Sequence, residues 1–419
     1  MAAVKLGAIR LLYLTHEPWP TYHADVAVLF GKYLPRAGIF ADMVTETSPE
    51  LAIHSSEAWP GGASLMCRFP ANRALRHALK LWHNARTLLS YDAANYQAVQ
   101  VRDMPLTGAL ALLLARAKGL PFFYWMSFPQ SEGQIFRAKA RGMRAGFRYW
   151  FPLLQGYLGM WLVYRLVLPR ADHVFVQSKK MAADLHAYGI PMHKMTPVPM
   201  GVDLDSARPD ATQPSTDVRL AGKRVLVYLG TQDRTRRIEV LFNMLAKVRE
   251  YEPNVLLVLV GDIEDVAHRK WLRKQAELHG VAECVVWTGW LPIQQGWGYL
   301  RAAEIGLSPF PRGFLLDSAS PTKAVEYMAF GLPVVANDNP DQAQAIVESG
   351  AGICVEYSAE QFADAVISLL QDPERRRSMG ECGRRYVAEV RSYDQLAASL
   401  AAVYRRVLAP QESELRHAC

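Results

Sequence analysis

The chain has 419 residues, of which 50% are hydrophobic and 21% are charged. This composition is typical of a folded protein and excludes a disordered or collagen-like chain, and the length indicates two domains. The formal net charge of +7 predicts an acidic partner, which could be a small anionic substrate, an anionic membrane surface or nucleic acid. The five scattered cysteines form no C-x-x-C pair, and the N-terminus has no apolar run of signal-peptide length. We therefore expect a cytosolic protein without disulfides or a zinc site.

Short apolar runs alternate with longer helical patterns from residue 9 onward, which indicates βαβ units and parallel sheets. The runs are mostly continuous, as expected for strands that are buried on both faces. The first half has predicted helices at 26–34, 72–91 and 106–118, and predicted strands at 9–15, 41–45, 98–101, 122–126 and 173–177.

The segment 198–223 is rich in proline, aspartate, serine and threonine, which is typical of a linker. The alternation then restarts, with helices at 360–370, 373–390 and 393–408 and strands at 225–229, 255–260, 284–288, 305–308, 334–336 and 353–355. We therefore predict domains at 1–197 and 224–392, the linker at 198–223, and a C-terminal helical segment at 393–410.

The stretch 320–333 predicts a short helix with well-marked ends. Ser320 is the expected N-cap, Pro321 suits the first helical position, and Gly331 followed by Pro333 predicts the end.

The N-terminus of this helix favours an anion, because the free amides of Thr322 and Lys323 and the Lys323 ammonium group all carry positive charge. Glu326 lies one turn further on and could accept hydrogen bonds from a ribose. The same residues also fit an ordinary surface helix with a Lys323–Glu326 pair.

A turn with three arginines follows the first strand of the second half, over residues 230–237. Ligands of α/β folds bind at the carboxyl ends of strands, and guanidinium groups suit a diphosphate. A solvated basic turn is the alternative. Gly289, at the end of another predicted strand, could lie against a nucleotide base.

Several catalytic signatures are missing from the sequence. It contains neither a G-x-G-x-x-G after a strand nor a P-loop, and no zinc, nucleophile-elbow or EF-hand pattern. Oxidoreductase, NTPase, metal-dependent and acyl-transfer functions therefore have no support.

Basic and aromatic residues are interleaved over 137–170. A helix lying in the headgroup region of a membrane and a core helix packed on the sheet are both consistent with this pattern. Nucleic-acid binding is disfavoured because no recognised motif accompanies the basic residues.

Together these landmarks resemble the family-4 retaining glycosyltransferases, most specifically over 198–203, 228–230, 258–262 and 320–335. The resemblance implies an α/β protein of the GT-B fold, in which two Rossmann-like domains with parallel sheets face a central cleft that binds a nucleotide-diphosphate sugar.

The resemblance also implies roles for individual residues. Arg237 takes the place of the family's phosphate-binding lysine, and Glu326 that of the second glutamate of its Glu-x7-Glu motif. The chain departs from the family pattern elsewhere: the first glutamate falls on Ser318, an arginine on Thr231, and a first-domain histidine on Ser127. The expected donor-binding residues are Gly230, Thr231, Arg236, Arg237, Gly289, Asp317, Ser318, Ser320, Thr322, Lys323 and Glu326, and the candidate catalytic residues are Ser127, His23, Asp25 and Asp103.

The implied activity is retaining transfer of a hexose from a nucleotide-diphosphate sugar to a hydroxyl acceptor, without a metal or another cofactor. The acceptor would be a lipid-linked or polysaccharide intermediate at the cytoplasmic face of a membrane, contacted through 137–170. A nucleotide-sugar epimerase of the same fold and a non-catalytic membrane-associated scaffold are the alternatives.

Overall fold

The computed structural model describes residues 7–47 and 58–409. They form two compact units, one running up to Pro199 and joined by the C-terminal helix from Leu396, the other comprising Met200–Gln395. Each unit has one sheet with helices on both faces, and every strand pair in either sheet is parallel. The prediction of two Rossmann-like α/β domains is therefore confirmed.

The sheet of the first unit has the strand order β3-β2-β1-β4-β5-β6-β7. Its central strands are buried on both faces, as their continuous apolar sequences require. All five predicted strands are confirmed, and β3 and β7 are short edge strands that the sequence pattern did not indicate. The strands are β1 Ile9–Thr15, β2 Ile39–Glu46, β3 Ser64–Cys67, β4 Ala98–Arg102, β5 Phe122–Met126, β6 His173–Val176 and β7 Met195–Pro197.

The three helices predicted in the first half are confirmed. One of them, Pro105–Ala117, begins with a proline and is followed by Gly119, whose φ is +69°. The helices of this unit are α1 Asp25–Tyr33, α2 Arg73–Ser90, α3 Pro105–Ala117, α4 Gln130–Arg141, α5 Phe147–Trp161 and α6 Lys179–Ala187.

The sheet of the second unit has the order β10-β9-β8-β11-β12-β13, and its six strands confirm the six predicted ones. They are β8 Arg224–Leu229, β9 Val255–Val260, β10 Val285–Gly289, β11 Ile305–Ser308, β12 Val334–Asn337 and β13 Gly352–Val355. The helices that follow them are α7 Val240–Tyr251, α8 Val266–Leu278, α9 Ile293–Ala302, α10 Phe314–Asp317, α11 Thr322–Ala329, α12 Pro340–Ser349, α13 Ala359–Gln371, α14 Pro373–Tyr386 and α15 Tyr393–Leu408.

Most of the predicted linker packs on the second unit. Val202, Ala207 and Leu220 are buried in its apolar core, and Val202 pairs with Ser392 in a parallel bridge. The linker composition is therefore misleading from Met200 onward, because a few apolar side chains anchor the segment.

The last helix, α15, contributes its residues from Leu396 onward to the first unit. Within that unit the Tyr404 hydroxyl donates a hydrogen bond to Gln100 Oε1 at 2.5 Å, and Arg405 donates to the carbonyl oxygen of Ala37. Buried Tyr404 also packs against Phe123 and Phe175. The residues after 409 lie outside the described part of the chain.

Helix α5 continues without a break to Arg170, and over these 24 residues it is the only described helix long and apolar enough to cross a membrane. Its second half is a core helix, with Val163 and Val167 buried against the sheet. Its first half is not, because Phe147, Trp150 and Leu154 are 57 to 75% exposed. The core interpretation therefore holds only for the second half of the segment.

Candidate functional site

Helix α11 has the predicted C-terminus but a different N-terminus. Gly331 has φ +73°, and the amides of Gly331 and Leu332 donate to the carbonyl oxygens of Met328 and Tyr327, which is a Schellman motif. The N-cap is Pro321, and no side chain caps the helix. The prediction that Ser320 is the N-cap is therefore wrong.

Ser320 belongs instead to a buried polar network. Its hydroxyl donates to Asp341 Oδ2 at 2.6 Å and accepts from the Met200 amide and from Arg391. Arg391 also pairs with Asp341 at 2.9 Å. The buried Ser320 hydroxyl forms hydrogen bonds with both the Asp341 carboxylate and the Arg391 guanidinium group. Ser320 therefore fixes the segment before α11 in place, and its side chain does not cap the free amides of the helix.

Lys323, at the start of α11, is buried with its ammonium group 5.2 Å from the centre of the Tyr228 ring. Among the described residues it has no hydrogen-bond or ion-pair partner. Burial, followed by the charge of Arg236, lowers the pKa of Lys323 to about 7. A buried cation without a counter-ion is the kind of group that binds an anionic ligand.

Glu326 lies one turn along the same helix and is partly buried. Burial raises its pKa to about 7, against the opposing charge of Lys323. Its carboxylate, like the Lys323 ammonium group, has no hydrogen-bond or ion-pair partner in the described part of the chain. One acceptor and one donor are thus free for a ligand at the start of α11.

Three glycines with positive φ end the neighbouring strands β8, β9 and β10: Gly230, Gly261 and Gly289. A Cβ on Gly230 would lie 3.0 Å from Lys323 Nζ, and one on Gly261 would lie 2.3 Å from the Gly230 carbonyl oxygen. A side chain at Gly261 would therefore meet the Gly230 backbone, and one at Gly230 would meet the end of the Lys323 side chain. Gly289, which bridges to Gly261, has open space around it.

Two adjacent arginines of the turn after β8 have different surroundings. Arg236 lies 4.7 Å over the Phe310 ring and is the cation that lowers the Lys323 pKa. Arg237 has φ +49°, and its exposed side chain reaches Glu239 and the Tyr357 ring. The geometry therefore favours Arg236 for the phosphate-binding place that the resemblance gives to Arg237.

The remaining predicted donor residues lie near this site or are engaged elsewhere. Thr231 follows Gly230 and accepts a hydrogen bond from the Tyr228 hydroxyl through its carbonyl oxygen at 2.7 Å. Thr322, half-buried, begins α11. The Asp317 carboxylate is held by Arg312 at 2.9 Å, and the buried Ser318 hydroxyl donates to the Phe314 carbonyl oxygen. The Asp317 carboxylate is thus already paired, and Ser318 has no carboxylate. Neither residue therefore offers a free carboxylate in place of the first glutamate of the family's motif.

The four candidate catalytic residues of the first unit contact Arg102 either directly or through one other residue. The sequence analysis gave no role to Arg102. Arg102, the last residue of β4, is 2% exposed. It donates to Asp25 Oδ2 at 2.9 Å and to Glu17 Oε1 at 3.2 Å, and lies 3.5 Å from Asp103 Oδ2. A buried guanidinium thus binds three carboxylates at the carboxyl edge of the sheet, one from the loop after β1, one from the start of α1 and one that directly follows β4.

Asp103 and Ser127 form one unit of this network. The Ser127 amide donates to Asp103 Oδ1 at 2.8 Å, and its hydroxyl donates to Oδ2. Asp103 has φ +56°, a strained conformation for a residue with a side chain, and burial raises its pKa.

Two histidines complete the network through Glu17. His16 Nε2 lies 3.0 Å from Glu17 Oε1, and His23 Nε2 lies 3.3 Å from Oε2. Burial alone would raise the pKa of Glu17, but the hydrogen bond and charge of His16, with His23 and Arg102, lower it to about 2. Glu17 and His16 directly follow β1, a position that could have marked them from the sequence.

A cavity of about 540 Å³ opens beside this network, with His16 and Asp103 in its wall. Lys80 also lines it, paired with Glu46 at 3.2 Å. The apolar part of the wall comes from Leu81, Met104, Pro105, Leu106 and Leu158. The described residues include no group of three or more His, Cys, Asp or Glu side chains placed to bind a metal.

Two family models match the chain. The model of glycosyl transferases group 1 matches residues 215–386, and that of the glycosyl transferase 4-like domain matches residues 24–201. Both domains thus belong to the same class of enzyme. The chain is a member of the group 1 glycosyltransferases.

Curated relatives are also glycosyltransferases. The chain is 29% identical to the GDP-mannose-dependent alpha-(1-6)-phosphatidylinositol monomannoside mannosyltransferase of Mycobacterium tuberculosis, over 54% of the chain and 60% of the relative. It is 28% identical to the D-inositol 3-phosphate glycosyltransferase of Segniliparus rotundus, over 58% of the chain and 54% of the relative. The matches therefore span about 54 to 60% of these relatives' lengths.

Solved structures share the fold at low sequence identity. Sucrose-phosphate synthase from Thermosynechococcus elongatus has a TM-score of 0.67 at 20% identity, covering 96% of this chain and all of that one. WaaG, a glycosyltransferase involved in lipopolysaccharide biosynthesis, has a TM-score of 0.63 at 16% identity, covering 94% and 99%. The chain thus has the GT-B fold that the sequence predicted.

Proposed function

We propose that the protein transfers a hexose, with retention of configuration and without a metal, from a nucleotide-diphosphate sugar to a hydroxyl acceptor. The observation that carries this proposal is that two cations, Lys323 at the start of α11 and Arg236 in the turn after β8, are close enough for the charge of one to affect the other. Arg236 is the cation that depresses the Lys323 pKa, the charges of Glu326 and Asp233 offset this only in part, and among the described residues no carboxylate forms a direct ion pair with Lys323. A diphosphate supplies the missing negative charge.

The chemistry explains why the cations matter. As the glycosidic bond to the diphosphate breaks, negative charge grows on the leaving oxygen, and fixed positive groups stabilise that charge. Lys323, Arg236 and the amide of Thr322 fill this role in the proposal, so no metal or cofactor is required. Glu326 accepts hydrogen bonds from the ribose hydroxyls.

The donor is most directly tested with GDP-mannose and UDP-glucose. The Mycobacterium tuberculosis relative is GDP-mannose-dependent by name, and a structure of the Anabaena protein HepE with UDP-glucose has a TM-score of 0.65 at 13% identity, over 95% of this chain and all of that one. A hexose on either nucleotide fits the proposed diphosphate site.

We assign the acceptor hydroxyl to the first unit. Asp103, whose pKa is raised by burial, lies in the cavity wall with Ser127 hydrogen-bonded to it. Asp103 and Ser127 orient the hydroxyl in this proposal, while Asp25 and His23 act through Arg102 and Glu17 as positioning residues.

We place the reaction at the cytoplasmic face of a membrane, with a lipid-linked or polysaccharide acceptor. The exposed aromatic side chains of α5 and the arginines around it favour contact with an anionic bilayer. Co-sedimentation with phosphatidylglycerol vesicles, but not with phosphatidylcholine vesicles, is the expected result. Equal recovery with both lipids would contradict the membrane contact.

The function is tested by measuring nucleotide binding and sugar transfer with the same variants. Lys323→Gln and Glu326→Ala should each weaken GDP or UDP binding at least tenfold and abolish transfer, because each removes a direct ligand contact. Lys274→Gln, an exposed site on α8, is the matched control and should behave like the wild type. Unchanged binding and transfer in both site variants would refute the proposal, and a donor-only reaction that yields an epimerised sugar would establish the epimerase instead.

A further inference from the structure

A second concave surface lies between α4 and α5 of the first unit, with a volume of about 570 Å³. Three arginines line it: Arg137 and Arg141 from α4, and Arg148 from α5. We call this surface the arginine groove. None of the three has a carboxylate partner among the described residues, and the only hydrogen bond in which one of them is the side-chain donor runs from Arg141 to the Arg148 carbonyl oxygen at 3.4 Å.

Arg141 is close enough to Arg137 to disfavour its charge. Burial, followed by the charge of Arg141, lowers the pKa of Arg137. Like charges gathered without a counter-ion raise the energy of the free protein, and an anion in the groove would remove that cost. Guanidinium groups bind phosphate and carboxylate through paired hydrogen bonds, and a phosphate monoester, which carries up to about two negative charges, neutralises several arginines better than a carboxylate or a chloride.

The other wall of the groove is apolar. The rings of Phe147 and Phe151 stack with centroids 5.0 Å apart, and both side chains are more than half exposed. Pro152 lies beside them in the lining. An exposed aromatic wall next to unpaired arginines matches a ligand with a phosphate and a hydrocarbon chain on the same molecule.

The groove adjoins the cavity beside Asp103. His77, Gln134 and Gln155 line both, so the two spaces meet at these three side chains. The cavity end carries the groups to which the acceptor hydroxyl is assigned, and the groove end carries the unpaired cations. One elongated molecule can occupy both.

We propose that the cavity and the arginine groove together form an acceptor channel for a phosphate-bearing amphiphile, an inference that rests on the proposed function. Arg137, Arg141 and Arg148 bind the phosphate, and Phe147 and Phe151 pack against the hydrocarbon chain. The polar end of the acceptor extends past Gln134 and Gln155 to Asp103. The arginines therefore select for a particular acceptor rather than attract any anionic surface.

The test compares two pairs of charge removals in the full-length protein. Arg141→Gln/Arg148→Gln alters the groove, whereas Lys139→Gln/Arg144→Gln removes the same charge from exposed neighbouring positions that do not line it. The probes are monomeric dodecyl phosphate, dodecyl maltoside as a neutral amphiphile of equal chain length, inorganic phosphate and phosphatidylglycerol vesicles. Affinities come from calorimetry and from vesicle co-sedimentation.

We expect the wild type to bind dodecyl phosphate at least tenfold more tightly than dodecyl maltoside or inorganic phosphate. The groove variant should lose this preference, with roughly tenfold weaker binding for each arginine removed, while the control pair keeps it. The proposal is overturned if both variants bind dodecyl phosphate like the wild type, or if they lose vesicle and dodecyl phosphate binding equally.

GDP and UDP affinities measured on the same proteins separate the two proposals. The groove variant should bind nucleotide like the wild type, because the arginines belong to the first unit and the nucleotide site to the second. Wild-type protein that binds neither nucleotide would refute the proposed function. Intact nucleotide binding without any preference for dodecyl phosphate would refute the acceptor channel alone.

Discussion

The ammonium group of Lys323 lies against Gly230, the first residue after β8: a Cβ on Gly230 would be 3.0 Å from Nζ and 2.9 Å from Cε. The lysine therefore occupies the space that any other residue at 230 would fill with its side chain. Because Gly230 also has φ +126°, both its backbone conformation and its missing side chain are required there. The position of the buried cation thus depends on one glycine.

Gly230→Ala should weaken nucleotide binding at least tenfold, because the new methyl group displaces the Lys323 ammonium group. Gly280→Ala is the control, since Gly280 also has positive φ but nothing lies within 4 Å of its added Cβ. That control should lose about 1 kcal/mol of stability and no nucleotide affinity. Calorimetric titration with GDP and UDP measures the effect, and equal affinity losses in the two variants would contradict it.

Nucleotide affinity should fall as pH rises from 7 to 9. The pKa of Lys323 is lowered to about 7 in the free protein, so the side chain loses its proton over this range. A bound diphosphate raises that pKa, and binding therefore takes up a proton. We expect roughly tenfold weaker binding at pH 8.5 than at pH 7.

Proton uptake can be measured by titration in two buffers of different ionisation enthalpy. Lys323→Gln should bind weakly and without this pH dependence. Glu326→Gln should still bind more weakly as the pH rises, because Lys323 still loses its proton, although the Glu326 carboxyl, whose pKa is also raised to about 7, no longer titrates over the same range. Affinity of the wild-type protein that stays constant between pH 7 and 9 would show that proton loss from Lys323 does not control nucleotide binding in this range.

The adjacent residues Arg236 and Arg237 give a matched comparison within one turn. Arg236→Gln should reduce nucleotide affinity at least tenfold, because it removes the cation beside Lys323. Arg237→Gln should change nucleotide affinity less than threefold, since the Arg237 side chain is 63% exposed and that of Arg236 only 25%, although each lies 3.7 Å from a carboxylate. Equilibrium binding of GDP and UDP to both variants measures the two losses in affinity. A larger loss in Arg237→Gln than in Arg236→Gln would show that Arg237 is the phosphate-binding arginine.

The sheets were predictable because their strands are buried on both faces and therefore have continuous apolar sequences. The edge strands β3 and β7 were not, since Ser64–Cys67 and Met195–Pro197 are short and only partly buried. The helix that begins at Thr322 was predictable for a different reason. The proline, glycine and charged residues that mark it lie close together in the chain, so a local pattern reveals them.

The partners of Ser320 and Arg102 were not predictable, because they come from distant parts of the sequence. Ser320 meets Asp341 and Arg391, which the sequence separates from it by 21 and 71 positions. Arg102 reaches Glu17 across 85 positions. Local patterns would place a serine before a helix at the N-cap, and only tertiary contacts show that its hydroxyl is used elsewhere.

The last prediction concerns Glu17, whose pKa is lowered from 4.5 to about 2. A carboxylate with a lowered pKa stabilises the folded state above its unfolded pKa and loses that effect as the pH falls towards the folded value. By this linkage Glu17 contributes up to about 3 kcal/mol at pH 7. Glu17→Gln should therefore lower the melting temperature at pH 7, and its loss in free energy of unfolding relative to wild type should be smaller by about 1 kcal/mol at pH 3.5.

Glu250→Gln, an exposed position on α7, is the control and should melt like the wild type at both pH values. Arg102 keeps Asp25 and Asp103 as partners in Glu17→Gln, so the first unit should still fold and bind acceptor analogues. A difference in melting temperature that does not change between pH 7 and 3.5 would mean that Glu17 stabilises by packing alone. A difference that narrows would show that the charge of Glu17, held between Arg102 and two histidines, keeps the network in place.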